Sequence, residues 1–315
     1  MAKKIWEQNI PDDLTLIRRL QKPTGPIDVV LDTDTYNEID DQFAIAYMLL
    51  SPERIRVRQL YAAPFHNNKS TSPEDGMERS YDEILKVLDL AGRSDLKDHT
   101  YRGSRTYLPS ETQAVESPAA RALVEISKEY SAENPLYVVA IGAITNVASA
   151  VLMDPTIADR IVLSWLGGTS HEMPNNREFN LRQDIAAARV VFGCGMPVIQ
   201  LPCRGVVDAF TVSGAELEKW LIGKTPLADY LARNTIAEAE SYAAGRPWTR
   251  VIWDVTAVAW LLNDGNRFMA SKLVPAVIPQ YDDHYSFDAG RHFMRYVYWI
   301  NRDALMNDLF KKLLG

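Results

Sequence analysis

Five carboxylate side chains lie within ten residues near the N-terminal end of the chain, at Asp32, Asp34, Glu38, Asp40 and Asp41. Carboxylates this close together repel one another, and a bound cation is the simplest way to offset that repulsion. Because the side-chain ligands on offer are all oxygens, a hard cation such as Ca²⁺ or Mg²⁺ is favoured. The alternative is a solvated acidic loop that stabilises the start of the following helix through the helix dipole. The segment does not follow the calcium-loop pattern of an EF-hand.

A strand and a helix are predicted on the two sides of this acidic segment. Residues 27–31 form a short apolar run, which is typical of a strand covered on both faces, and residues 42–50 are typical of a buried helix. Further strands are predicted at 55–62, 136–141, 161–166, 197–201 and 292–300. Further helices are predicted at 75–90, 143–152, 186–192, 213–221, 226–242, 251–262 and 303–314.

This alternation predicts an α/β fold, with one domain over residues 1–315 and a mainly parallel, Rossmann-like central sheet flanked by helices. Sites in such sheets form at the carboxyl ends of the strands. The acidic segment, Ile141-Gly142 and Leu166-Gly167-Gly168 follow predicted strands, and Trp253-Asp254 opens a predicted helix. We therefore expect these separate segments to meet at one edge of the sheet.

The composition and net charge of the chain indicate which partners and which cellular location to expect. The chain has 315 residues, 47% of them hydrophobic, and a formal net charge of −7, which disfavours a nucleic-acid partner and suits a small neutral substrate. The start of the chain lacks the apolar region of a signal peptide, and no apolar stretch is long enough to span a membrane, so a soluble cytoplasmic protein is expected.

The two cysteines, Cys194 and Cys203, lie among apolar residues and are interpreted as buried thiols.

Asp32-Thr33-Asp34 after an apolar strand also resembles the aspartyl-phosphate signature of the haloacid-dehalogenase-like phosphatases. In that chemistry Asp32 would be the nucleophile and Asp34 the acid/base, and a later strand would end in paired acids. The pair Asp282-Asp283 instead follows Gln280-Tyr281 in a polar stretch, so the rest of the chain does not support this alternative.

The acidic segment resembles more closely the inosine-uridine-preferring nucleoside hydrolases, whose N-terminal motif is Asp-x-Asp-Pro-Gly-x-Asp-Asp after a strand. Asp32, Asp34, Asp40 and Asp41 match this motif, and residues 35–39 replace Pro-Gly-x with a segment two residues longer. Other matches follow in the family's order along nearly the whole chain. They are Asn68 in Phe65-His66-Asn67-Asn68, Arg102-Gly103-Ser104, Ile141-Gly142-Ala143-Ile144-Thr145-Asn146, Leu166-Gly167-Gly168, Glu178-Phe179-Asn180 and Trp253-Asp254.

The resemblance implies a calcium site, with a single Ca²⁺ in each subunit. The carboxylates of Asp34, Asp41 and Asp254 and the main-chain carbonyl of Ile141 would be its protein ligands. The alternative for Asp254 is the N-cap of the apolar helix that follows it. Asp32 would be a structural support, and the resemblance assigns no role to Glu38.

The resemblance also implies a ribose site, in which Asp40, Asn68, Glu178 and Asn180 would bind the sugar hydroxyls. Taken alone, Asn68 in a loop is typical of a turn residue. Glu178 and Asn180, on either side of Phe179, are also compatible with an ordinary strand edge.

These residue types suit hydrolysis of the N-glycosidic bond of a ribonucleoside to free base and ribose, which passes through a cationic, oxocarbenium-like sugar. A bound cation lowers the pKa of its water, and Asp34 beside that water would be the general base. Neighbouring carboxylates would stabilise the positive charge of the sugar. A site built around ribose hydroxyls is also expected to reject 2′-deoxyribose.

Trp253 departs from many relatives, which carry a histidine here that is thought to protonate the departing base. Tryptophan cannot donate a proton in this way, but it can stack on a purine, as in a purine-specific branch of the family. A buried core tryptophan is the alternative. A second aromatic for the other face of the base is not identified, and the candidates are Tyr36, Phe65, Tyr242 and Trp248. His66 and His171 are loop residues that could supply an acid.

Two further functions remain open at this point. The missing histidine and the longer acidic segment are compatible with a non-catalytic ribose- or nucleotide-binding protein that keeps the metal site. The segment 35–39 is also compatible with a hydrolase for another N-ribosyl compound. The resemblance further implies a homodimer or homotetramer as the assembly.

Overall fold

An eight-stranded sheet lies at the centre of the protein in the computed structural model, which describes residues 10–315. In spatial order the strands are β3 (Thr100–Arg102), β2 (Ile55–Ala62), β1 (Ile27–Thr33), β4 (Leu136–Ala140), β5 (Ile161–Leu166), β6 (Val198–Leu201), β12 (Phe293–Ile300) and β9 (Met269–Pro275). Only the edge strand β9 runs antiparallel to its neighbour in this sheet. The predicted single α/β domain with a mainly parallel sheet is confirmed.

Two short antiparallel pairs, eleven α-helices and four short 3-10 helices make up the rest of the regular structure in residues 10–315. The pairs are β7 (Thr211–Ser213) with β8 (Thr249–Val251), and β10 (Ile278–Pro279) with β11 (Tyr285–Ser286). The helices are α1 (Asp13–Arg19), α2 (Asp41–Leu49), α3 (Pro73–Leu90), α4 (Pro118–Ser127), α5 (Thr145–Met153), α6 (Phe179–Gln183), α7 (Ile185–Gly193), α8 (Gly214–Trp220), α9 (Pro226–Ala243), α10 (Val255–Leu261) and α11 (Arg302–Leu314).

Apolar side chains pack on both faces of the sheet. Val29 and Leu31 of β1 belong to one core cluster, with α2 and α10, whereas Val30 between them belongs to the other, with α4, α5 and α7. Successive side chains of a strand point to opposite faces, so a strand covered on both sides must be apolar throughout its centre. Helix α2 is buried along its whole length, as predicted for the residues that follow the acidic segment.

Several elements differ from the sequence-based expectation. Helix α4 and the sheet strands β3 and β9 were not predicted, and the predicted helix at 251–262 is split into the end of β8 and the later helix α10. Cys194 and Cys203 are buried free thiols, as predicted. Among residues 10–315, no helix has the length and apolar character needed to cross a membrane.

Candidate active site

The carboxyl ends of β1, β4, β5 and β6 lie side by side, and a cavity opens at this edge of the sheet. Its lining is Asp34, Asn37, Glu38, Asp40, Asp41, Ile141, Leu166, Glu178, Phe179, Asn180, Cys203, Arg204, Trp253 and Asp254. Every site residue predicted from the sequence lines this cavity, with the exception of Asn68. The segments expected to meet at one edge of the sheet therefore do so.

Three carboxylates form the closest acidic cluster in the described part of the chain. Asp40, Asp41 and Asp254 each place one carboxylate oxygen within 4.8 Å of the others, and all three side chains are buried. Neither Asp40 nor Asp254 caps its helix through its side chain, although each occupies the N-cap position. The solvated acidic loop and the helix-capping role for Asp254 are therefore wrong as accounts of these residues.

Asp34 adds another carboxylate to the lining of the cavity. It is 1% exposed, and its Oδ2 atom is buried with no hydrogen-bond partner among the described residues. Gly142 leaves room for it, because a Cβ atom there would lie 3.1 Å from the Asp34 carboxyl carbon. A buried carboxylate oxygen without a donor is costly unless a cation or a proton balances it.

Burial and mutual repulsion raise the pKa values of the carboxyls in this cluster. The pKa values of Asp34, Asp40 and Asp254 lie well above the ordinary range, first because of burial and then because of neighbouring carboxylates. For Asp41, burial raises the pKa to about 6, against hydrogen bonds that favour the anion. One of these is donated by Thr33 at 2.5 Å. A cation bound among these groups would favour their charged forms.

The residues present therefore fit a hard divalent cation. Asp34, Asp41 and Asp254 offer carboxylate oxygens to the same cavity, and Ile141 lines it beside them. The Ile141 carbonyl oxygen accepts a 3.1 Å hydrogen bond from the Asn180 amide, which also donates at 3.0 Å to the carbonyl oxygen of Leu166. Since a carbonyl oxygen has two lone pairs, the Ile141 carbonyl keeps one for a cation.

Glu178 anchors the wall of the cavity beside Asn180. Its carboxylate accepts backbone hydrogen bonds from Asn180 at 2.9 Å, Leu181 at 3.0 Å and Gly168 at 2.7 Å. It is the N-cap of α6, so an ordinary strand edge is the wrong account of residues 178–180. Burial raises the Glu178 pKa, whereas the three backbone donors favour its anion.

Two aromatic side chains line the cavity. Trp253 is partly buried against the core, and Phe179 is 37% exposed. Phe179 was not among the aromatic residues proposed from the sequence, although it lies between two predicted site residues. The proposed candidates Tyr36, Phe65, Tyr242 and Trp248 do not line the cavity, and neither do His66 and His171.

The structure does not bring Asn68 to the cavity. Its side chain is exposed, whereas the preceding Asn67 donates a 2.7 Å hydrogen bond to Asn37, which does line the cavity. Two charged residues of the lining, Glu38 and Arg204, were assigned no role from the sequence. Glu38 accepts a 2.8 Å hydrogen bond from Arg250, and Arg204 is the single cationic residue of the lining.

Asp32 is buried away from the cavity lining. Its Oδ1 atom accepts a 2.7 Å hydrogen bond from Asn146, and burial raises its pKa to about 7. Asp283 forms an ion pair with Arg177 at 2.7 Å, outside this lining. The nucleophile and the second acid pair that a haloacid-dehalogenase-like phosphatase needs are therefore not assembled here.

The chain is similar to known proteins over most of its length. A family model described as "Inosine-uridine preferring nucleoside hydrolase" matches residues 29–295. The chain is 25% identical over 253 residues to "Non-specific ribonucleoside hydrolase RihC" of Salmonella enteritidis, covering 76% of this chain and 79% of that protein. It is 27% identical over 231 residues to "Probable uridine nucleosidase 2" of Arabidopsis thaliana, covering 65% of this chain and 67% of that protein.

A solved structure shows the same fold. The "Purine-Preferring Ribonucleoside Hydrolase from Gardnerella vaginalis" superposes with a TM-score of 0.74 at 20% identity, covering 91% of this chain and 98% of that one. The family match spans most of the chain and includes every residue of the cavity lining. The chain is therefore an enzyme, a nucleoside hydrolase, and it belongs to the inosine-uridine preferring nucleoside hydrolase family.

Proposed function

We propose that this protein is a Ca²⁺-dependent ribonucleoside hydrolase that releases free ribose and the base. One observation supports this most directly: the buried carboxylates of Asp40, Asp41 and Asp254 converge on the cavity where an unpartnered oxygen of Asp34 also lies. These buried carboxylates can remain charged only if a positive charge lies beside them. A divalent cation that binds oxygen ligands would provide that charge.

The proposed metal ligands are the carboxylates of Asp34, Asp41 and Asp254 and the carbonyl of Ile141. A cation held by these groups would supply a lowered pKa and a fixed orientation for a water molecule. Asp34 would accept a proton from the water that attacks the anomeric carbon, while the C–N bond breaks and the base leaves with its electron pair and takes up a proton from solvent. The surrounding carboxylates stabilise the positive charge that develops on the sugar ring.

The proposed ribose ligands are three further polar residues of the lining. Asp40, Glu178 and Asn180 offer oxygen acceptors to sugar hydroxyls and would hold the ring in one orientation. The exposed position of Asn68 gives its predicted sugar contact no support. With Trp253 and Phe179 in the lining, a purine base has aromatic surface to stack on, so we propose purine ribonucleosides as substrates.

A second candidate is the hydrolysis of another N-ribosyl compound. It is favoured by Asn37 and Glu38, which come from the segment 35–39 that is longer than the family motif and which both line the cavity. The reaction would be the same, and only the group leaving the anomeric carbon would differ.

The test is a reducing-sugar assay with metal-stripped and calcium-restored protein against purine and pyrimidine ribonucleosides and other N-ribosides. The proposal predicts ribose release that depends on added calcium and is fastest with purine ribonucleosides. Release that is unchanged after chelation would contradict the metal assignment, and absence of release from every ribonucleoside would contradict the proposed substrate class.

A further inference from the structure

The segment 35–39 is fixed in place by two side chains that also line the cavity. Asn37 accepts a 2.7 Å hydrogen bond from the side-chain amide of Asn67, which lies in the loop after β2. Glu38 accepts a 2.8 Å hydrogen bond from Arg250 of β8. The segment is therefore held from two sides, and its polar side chains have defined positions at the cavity.

The hydrogen bonds determine which atom of Asn37 is available to a ligand. The backbone N–H of Lys69 donates at 2.8 Å to the Oδ1 atom of Asn67, so this atom is the amide oxygen. The Nδ2 atom of Asn67 is consequently the one that donates to Oδ1 of Asn37. What remains of the Asn37 amide is its nitrogen, a donor with no acceptor among the described residues.

The backbone of Asn37 is fixed as well. Its N–H donates at 2.7 Å to the main-chain carbonyl of Asp34, the proposed general base. The Asn37 side chain is only 8% exposed, and it contributes to the cavity lining. The unused donor is therefore oriented, and it belongs to a residue with little exposed surface.

This donor differs from the carboxylates around it, and the guanidinium of Arg204 is another donor of the lining. Six carboxylates line the cavity and can only accept hydrogen bonds while they are charged. They are Asp34, Glu38, Asp40, Asp41, Glu178 and Asp254. A bound N-riboside also carries oxygen acceptors, on the sugar or on the base, and these need a donor.

We propose that Asn37 is a substrate-positioning residue that donates from Nδ2 to an oxygen acceptor of the bound N-riboside, and that Asn67 orients it. This inference rests on the proposed function. It gives the longer acidic segment a role, and it assigns a polar contact with the substrate to Asn37 in place of Asn68.

Three single variants separate this role from a structural one. Asn37→Ala removes the donor. Asn67→Asp keeps the acceptor for the Lys69 N–H, removes the amide that orients Asn37 and adds a negative charge. Asn68→Ala is the matched control, because it changes the adjacent exposed side chain.

The measurement is kcat/KM for inosine and adenosine with calcium-saturated protein, with calcium affinity and melting temperature measured alongside. We expect Asn37→Ala to lower kcat/KM about tenfold or more at unchanged calcium affinity, and Asn68→Ala to change it less than about twofold. Asn67→Asp should show a smaller loss, and Asn37→Ala/Asn67→Asp should be no worse than Asn37→Ala, because both changes remove the same contact.

The two nucleosides identify the acceptor, since inosine carries a base carbonyl and adenosine does not. A similar loss with both supports a sugar oxygen, and a loss confined to inosine supports the base carbonyl. Unchanged kcat/KM in Asn37→Ala, or fully additive losses from the two positions, would overturn the inference. If the wild-type protein releases no ribose from either nucleoside, the proposed function itself fails, which is a separate outcome.

Discussion

The side-chain amide of Asn180 donates a 3.1 Å hydrogen bond to the main-chain carbonyl oxygen of Ile141. The first residue was predicted to bind ribose and the second to bind the metal. Their contact means that the two proposed subsites share one structural support, because the Asn180 amide helps to hold the Ile141 carbonyl.

The first prediction concerns this contact. Asn180→Ala should weaken calcium binding by about 10- to 100-fold, the usual cost of removing a hydrogen bond that orients a metal ligand. Calorimetric titration of the metal-stripped protein with Ca²⁺ measures this directly. Unchanged calcium affinity, with a loss of turnover alone, would show that Asn180 acts on the substrate and not on the metal ligand.

The second prediction concerns the proposed base. Asp34→Asn keeps the size of the side chain and removes its ability to take up a proton, so kcat should fall by at least about 10²-fold. The assay is carried out at calcium concentrations that saturate the variant, because Asp34 is also a proposed metal ligand. Turnover at the wild-type rate in Asp34→Asn would exclude this residue as the base.

The third prediction concerns the base of the substrate. Trp253→Ala should lower kcat/KM for purine ribonucleosides by roughly 10- to 100-fold, since stacking of a base on an aromatic ring contributes about 1–3 kcal/mol. A smaller loss is expected for pyrimidine ribonucleosides. The matched control is Trp220→Ala, which removes a 46% exposed tryptophan of α8 outside the cavity lining. Equal losses for both classes of base would contradict stacking on Trp253.

The fourth prediction concerns stability and pH. Burial lowers the pKa of His292 from 6.5 to about 4. The unfolded chain therefore takes up this proton at higher pH than the folded protein, so folding stability falls as the pH decreases from about 6.5 towards 4. Between pH 7 and 5, the contribution amounts to roughly 2 kcal/mol.

Urea unfolding of the wild-type protein and His292→Gln at pH 7 and pH 5 tests this sign. The variant has no imidazole to protonate, so its free energy of unfolding should fall less over this interval. Buried carboxylates with raised pKa values act in the opposite direction, but they are present in both proteins and cancel in the comparison. Identical pH dependence of the two proteins would refute the contribution of His292.

The sequence was sufficient to predict the fold class and most of the cavity. Apolar runs such as 27–31 can be recognised without a structure, and the edge of a parallel sheet brings together whatever follows its strands. Asp34, Ile141 and Leu166 lie at the cavity for this reason. Glu178 and Asp254 were placed by the family motifs, since neither directly follows a strand of the central sheet.

The direction of loop side chains could not be predicted in the same way. Asn68 was selected because its position along the chain matches a family motif, whereas a hydrogen bond from Asn67, in a separate loop, helps to hold Asn37 at the cavity. Arg204 follows β6 and could have been considered on position alone. Spacing along the chain does not show whether such a side chain turns into the cavity or towards solvent.

The most direct test of the central claim is hydrolysis of a purine ribonucleoside in H₂¹⁸O, with mass analysis of both products. If water attacks the anomeric carbon at the proposed site, calcium-restored protein should produce ribose that carries one ¹⁸O atom and a base that carries none. The label must be read early, before the anomeric hydroxyl of free ribose exchanges with water, and Asp34→Asn should produce little labelled ribose. Label in the base, or base release without labelled ribose, would contradict the proposed reaction.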